Sequence, residues 1–157
     1  MKITYFLSGL VVGIVITVIS TVLAMRSVMI VEYDSTKNFA DTVNAIEESI
    51  KANGWSSPGT MDIKKAINKK GVSFGPKVKA IKLCKPQYAA EVLTDERHVA
   101  SLMPCTIAVY EDDNGQVKIS KMNTGLMGKI FGGTIARVMG GKVAADESKI
   151  IAPVIKK

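Results

Sequence analysis

Apolar and polar positions alternate in three different ways along this chain. The first is hardly an alternation at all. From Tyr5 to Met25 the run YFLSGLVVGIVITVISTVLAM carries no charge, and a bilayer-crossing helix needs about 20 such residues. In lipid every peptide group must be bonded within its own segment, so this stretch is expected to be helical. The second pattern is a strand signal, "VMIVEYDS", rich in β-branched residues. The third is a helical stripe: Phe39, Val43, Ile46 and Ile50 recur at helix spacing. Ser35 or Thr36 is placed to cap its start, and Gly54 suits the left-handed residue just past its end.

Further along, "GWSSPG" has the composition of a loop. Trp55, the single tryptophan, is expected to close the edge of a core. A short helix is predicted in "TMDIKKAINKKG", with Ile63 and Ile67 inward and Gly71 as its stop. "KVKAIKLC" reads as a strand whose alternation slips at Ala80–Ile81, which predicts a bulge or burial on both faces. "PQYAAEVLTDE" opens with proline in a first helical turn. "CTIAVYEDDNGQVKIS" predicts a hairpin with a type I′ turn at Asn114-Gly115. Helical periodicity then runs from Leu126 to Met139 despite several glycines, each costing about 1 kcal/mol relative to alanine. Strand, helix, short helix, strand, helix, hairpin, helix is an α+β order, with a largely antiparallel sheet and helices on one face.

Composition places this domain. With 157 residues and 47% hydrophobic content, the chain has room for one core. Residues 1–26 are read as a transmembrane anchor and 27–157 as the α+β domain. Val22 and Ala24 are small enough for a signal-peptide cleavage after Ala24, but a signal core spans only about 7–15 residues, which favours a retained anchor. Lys2 before the span and Arg26 after it, the latter near Glu32 and Asp34, set the N-terminus in the cytoplasm. The chain is then single-pass in the cytoplasmic membrane, its domain facing the periplasm or exterior, where disulfides persist. The net charge of +7 comes from scattered lysines with few aromatics, a solvated surface and not a nucleic-acid footprint.

A tryptophan after the first long helix, a strand ending in Cys-x-Pro, "AAEVL" on the next helix, and "MPCTIAVYED" opening a hairpin together resemble the domain-of-unknown-function 302 family. The resemblance covers about residues 28–150, and its central piece, Cys84 to Tyr110, is fairly specific. It implies a curved antiparallel sheet with helices packed on it, of the TATA-box-binding-protein-like type, often in a homodimer. It implies no reaction, and the fold by itself does not imply DNA binding. The anchor departs from simpler family members and sets the domain at a membrane surface.

Cys84 and Cys105, the only cysteines, end one strand and begin another. Three readings stay open. They form a structural disulfide, worth about 3 kcal/mol in the chain-entropy account; they are small buried hydrophobes; or they are a redox or ligand-binding pair. Lys82 and Lys85 stand close enough in sequence to favour thiolate, although no CxxC motif is present. The lone His98 lies in the polar "TDERHVA", too few N/S ligands for zinc, so no metal is expected. No cofactor is predicted. Haem is a secondary candidate, held non-covalently by His98 or by Met103, Met122 or Met127. No Gly-rich phosphate loop after a strand, no paired carboxylates in an apolar run and no serine elbow stand in the chain, which points away from an enzyme.

The segment "TGLMGKIFGGTIARVMGG" brings small residues together. Gly128 and Gly132 form GxxxG, flanked by Gly125 and Gly133, with Ala136 one turn on and Gly140 beyond. Such a side allows close backbone approach, and Phe131 belongs to a broad apolar surface beside it. Packing on the domain's own sheet is the first expectation. Docking on a partner or at the bilayer interface is the second. The functional expectation is a non-catalytic, membrane-anchored module that dimerises or docks on a larger membrane complex, such as a respiratory one. The alternative is a redox or haem-binding role for Cys84 and Cys105.

Overall fold

The computed structural model describes the backbone of residues 2–156, with side chains described over residues 9–21 and 28–156. Helix α1 spans Lys2–Met29. Its described apolar side chains from Leu10 to Ile19 are all half exposed or more. The hydroxyls of Thr17 and Thr21 donate back to the carbonyls four residues earlier, both at 2.8 Å, so neither asks for water. Among the described residues no helix is long and apolar enough to cross a membrane. Part of the expected span, the side chains at 5–8 and 22–25, lies outside the described residues.

No linker separates α1 from the domain. Strand β1, Ile30–Asp34, begins at the next residue. Asn123 fastens the junction: its backbone N–H donates to the Met29 carbonyl and its side-chain amide to the Val28 carbonyl, each at 2.9 Å. The last carbonyls of a helix have no partner within the helix, and here one residue serves two of them. The Asn123 side-chain oxygen also accepts from Leu126 N at 3.1 Å, capping the next helix.

Then follow α2 (Phe39–Ala52), β2 (Ser56–Asp62), α3 (Ile63–Asn68), β3 (Val78–Cys84), α4 (Pro86–Asp95), a 3-10 turn (Arg97–Leu102), β4 (Cys105–Glu111) and β5 (Val117–Met122). The chain closes with α5 (Thr124–Phe131), α6 (Gly133–Ile135), a π-helical stretch (Ala136–Val143) and α7 (Ala144–Ile151). The five strands form one antiparallel sheet in the order β1-β5-β4-β3-β2. Burial alternates along β4 and β5, so one face is sealed and the other is half exposed. Ile46 and Ile50 of α2, Ile81, Leu83, Ile107 and Ile119 of the sheet, and Ile150 of α7 form the dry centre.

Five local expectations are corrected. The α2 cap is Asn38, whose side-chain oxygen accepts from Asp41 N at 2.9 Å; Ser35 instead pairs with Ile155 in an isolated bridge. "SSPG" lies within β2, not in a loop. It is an edge strand, where proline is tolerated, and the register shift falls there, between Ser56 and Gly59, while β3 runs regularly against β4. None of the α3 side chains is fully buried, Ile63 and Ile67 included. The hairpin turn is not type I′: only Gly115 takes positive φ, 77°. Gly115 N donates to the Asp112 carbonyl at 2.9 Å and Asp112 N to Gln116 O at 3.0 Å, a three-residue loop of the type I plus glycine kind.

The fifth correction changes the glycine-rich segment. The helix does not run from Leu126 to Met139. Gly132 and Gly133 take φ of 73° and 52°, a left-handed geometry glycine adopts without steric cost, and α5 ends there. The chain turns back so that Gly128 meets Gly140. A Cβ on Gly128 would stand 2.5 Å from the Gly140 Cα. Close backbone approach is thus used inside the domain.

Candidate functional site

Chemistry gathers at the end of the sheet where β3 finishes and β4 starts. Cys105 stands opposite Leu83, so Cys84 lies one residue further and the pleat turns the two side chains apart. Both thiols are free. They border a crevice of about 20 Å³ together with Trp55, Tyr88, Met103 and Met139. Burial, then the charge of Glu147, pushes the Cys105 thiol up to about 12, so it is a protonated thiol at neutral pH. Lys85 directs its ammonium elsewhere, and Lys82 lies on the Cys84 side of the pleat, opposite Thr106.

The target of Lys85 is Asp146. One carboxylate oxygen, Oδ2, accepts from Lys85 Nζ at 3.0 Å, Trp55 Nε1 at 3.1 Å and the Tyr88 hydroxyl at 3.3 Å. The ammonium also sits 4.7 Å from the Tyr88 ring centre and 5.7 Å from that of Trp55, within cation–π range. Trp55 and Tyr88 meet edge to face at 5.8 Å. Burial works to raise the Asp146 carboxyl, but Lys85, Trp55 and Tyr88 outweigh it and hold it below the usual range. Hydrogen bonding to Asp146 in turn raises Lys85. Trp55 does close the core edge, as expected, and is tied there by its N–H.

The next residue on α7 builds the second cluster. Glu147, 1% exposed, accepts through Oε2 from Lys121 Nζ at 2.8 Å and from the Thr124 hydroxyl at 2.9 Å. Lys121 is itself only 7% exposed. Above this pair opens a cleft of about 370 Å³ at the end of the sheet, bordered by Ile30, Leu102, Cys105, Lys121, Met139 and Glu147. A second hollow of about 760 Å³ lies beside it, between β2, β3 and α4, touching Cys84 and Met103. The peptide bond at Met103–Pro104 between these hollows is cis.

The remaining expected residues scatter. His98 is exposed, its ring 3.5 Å from the Glu96 carboxylate. Met122 pairs with Ile30 on the sheet, Met127 is buried in α5, and Met103 packs against the core. The structure does not bring His98 and these methionines into one cavity. Among the described residues no group of three or more potential metal ligands occurs. A Cβ on Gly125 would meet the Asn123 side chain at 3.5 Å, the Gly125 carbonyl lies 3.6 Å from where a Cβ on Gly140 would stand, and Gly132 ends α5. Ala136 opens the π-helical stretch, and its Cα would lie 3.1 Å from a Cβ on Gly128. Of the apolar surface, Ile130 and Phe131 stay 56% and 46% exposed.

Lys121, Glu147, Thr124 and Asp146 were not among the expected site residues, although two carried a signal. Val117, Ile119 and Lys121 share one face of β5, and Val143, Glu147, Ile150 and Val154 share one stripe. A charge in register with apolar residues needs a buried partner.

Comparison with known proteins bears on the fold. The sequence profile described as "Domain of unknown function DUF302" matches residues 31–152. The crystal structure of an uncharacterized conserved DUF302 protein from Bacillus stearothermophilus superimposes with a TM-score of 0.71 at 20% identity, over 80% of this chain and 98% of that one. No curated protein matches the chain. The family profile begins just after α1, so the anchor candidate stands outside the shared fold.

Proposed function

Because the chain belongs to the family known as domain of unknown function DUF302, whose name assigns no reaction, we propose its role from the molecule itself: a membrane-tethered, non-catalytic binding module. The observation that carries this reading is α1. An apolar helix whose described side chains from 9 to 21 all face outward has no place in water, where it would be buried or would aggregate, and suits a lipid environment. Its junction with β1 is fixed by Asn123, so the domain rests at the bilayer surface in one orientation. The charge asymmetry favours the outer side of the cytoplasmic membrane.

Binding is favoured over catalysis because the ionisable groups at the sheet end are already engaged. Glu147 holds Lys121, Asp146 holds Lys85, and Cys105 keeps its proton, which weakens a thiolate-based redox role. The exposed Ile130–Phe131 tip favours contact with a second copy or with a larger membrane complex.

Two measurements on the full-length chain in its native membrane test this. Alkaline carbonate washing should leave it in the pellet, and mild detergent should extract it with a second copy or a companion protein identified by mass spectrometry. Recovery in the carbonate supernatant contradicts the tether. Extraction as a solitary monomer contradicts the assembly role.

A further inference from the structure

We infer that the 370 Å³ cleft above Lys121 and Glu147 binds a neutral lipid amphiphile with a hydroxyl-bearing head group, drawn from the bilayer in which α1 is embedded. The inference rests on the tether proposed above and adds a ligand to it.

Position is the first argument. Ile30, 50% exposed, forms part of the cleft's rim and is the residue immediately after α1. The uncharged run ends at Met25, so Ile30 stands five residues beyond, about 7.5 Å at 1.5 Å per residue. The head-group layer on each side of a bilayer is about 5–8 Å deep. The rim therefore lies at head-group level, and Asn123 holds it there.

Lining is the second argument. Ile30, Leu102 and Met139 give apolar walls, and the volume falls within the range of small-molecule sites, about 300–1,000 Å³. It suits a head group and the first carbons of a chain whose remainder stays in the membrane.

Charge is the third. At the floor Lys121 and Glu147 neutralise one another at 2.8 Å. A carboxylate or ammonium ligand would lose its hydration and find no net countercharge, which is costly. A hydroxyl loses far less. Among the described residues the hydrogen bonds to Glu147 go to Oε2, which leaves Oε1 to accept from a ligand hydroxyl. A buried ion pair contributes little net stability compared with apolar residues of the same volume, so its retention beside a cleft fits recognition better than folding.

The test uses the full-length chain in phosphatidylcholine vesicles and three photoactivatable probes of equal chain length, each with a diazirine near the head: a monoacylglycerol, the corresponding fatty acid and the corresponding primary amine. After irradiation, mass spectrometry locates the labelled residues. The monoacylglycerol should label Leu102 and Met139 at least ten-fold more than either charged probe, and excess unlabelled monoacylglycerol should remove that labelling. Thr106→Trp, at an exposed position on the rim, should remove it too, while labelling of α1 persists with all three probes. Labelling of α1 without the cleft, equal cleft labelling by all probes, or cleft labelling that survives both competition and Thr106→Trp overturns the inference and leaves the tether standing. Absence of label on α1 overturns the tether, and with it the bilayer as source.

Discussion

Asp146 and Glu147 are neighbours on α7, yet they occupy opposite kinds of environment. Glu147 is sealed against the sheet with one lysine and one hydroxyl on a single oxygen. Asp146 is half buried and gathers an ammonium, an indole N–H and a phenol. About 100° of helical rotation separates consecutive residues, enough to send one carboxylate into the core and the other to its margin. The contrast teaches that a carboxylate's effect depends on what is stranded when it is removed. Taking away Glu147 strands a charge in a dry place. Taking away Asp146 strands donors that water can partly reach.

The largest expected effect follows from that. Glu147→Ala should lower stability by about 3–5 kcal/mol, because Lys121 would remain buried without its partner; chemical unfolding of the detergent-solubilised chain, followed by Trp55 fluorescence, measures it. Asp146→Ala should cost less, about 1–3 kcal/mol, and should change the Trp55 emission of the folded state, since the indole loses its acceptor. If the two substitutions cost the same, the distinction between core and margin fails.

The pH profile sharpens the contrast. Asp146 is held below its ordinary value in the fold, so its contribution is present above the unfolded carboxylate value and is lost as pH falls through the lowered one. Asp146→Ala should therefore flatten the acid limb. Cys105 and Tyr110 are both raised to about 12, by burial first and then by the nearby Glu147 and Glu32 respectively. Their contribution is complete below the unfolded values near 9 and 10 and fades as pH climbs towards 12. Cys105→Ala should make the alkaline limb shallower, as read from unfolding midpoints between pH 8 and 11.

The smallest effects belong to the surface and to a matched replacement. Glu91 pairs with Arg137 and Lys142 near the surface, and Glu91→Ala should leave the unfolding midpoint nearly unchanged, because solvent screens such pairs. The triple replacement Lys121→Met, Glu147→Leu and Thr124→Val should leave unfolding stability equal to or above that of the wild type, because both charges and the hydroxyl bonded to them go together. A large loss there would mean that the pair is a structural strut and not a recognition element.

How much of this was legible beforehand varies with the range of the forces involved. The stripe of Phe39, Val43, Ile46 and Ile50 predicted α2, and "KVKAIKLC" and the hairpin predicted three strands, because period and turn chemistry are local. β2 was hidden because Pro58 and Gly59 carry loop composition, and only the neighbouring β3 makes an edge strand of them. The glycine-rich helix was read as continuous because its apolar period survives the break at Gly132, where backbone geometry and not polarity decides. The cysteines' place at one end of the sheet followed from strand order. The charged clusters did not, since Lys121 and Glu147 are 26 residues apart, and only the packing of α7 on the sheet joins them.

The central claim is that α1 lies in lipid while the domain stays outside it. Spin labels at Val15→Cys and Val72→Cys, each in a background with Cys84→Ala and Cys105→Ala and reconstituted into vesicles, test it directly through collisions with oxygen and with a water-soluble nickel chelate. The label at 15 should collide readily with oxygen and scarcely with nickel, and the label at 72 should show the reverse. Nickel collisions at 15 as frequent as at 72 would contradict the account.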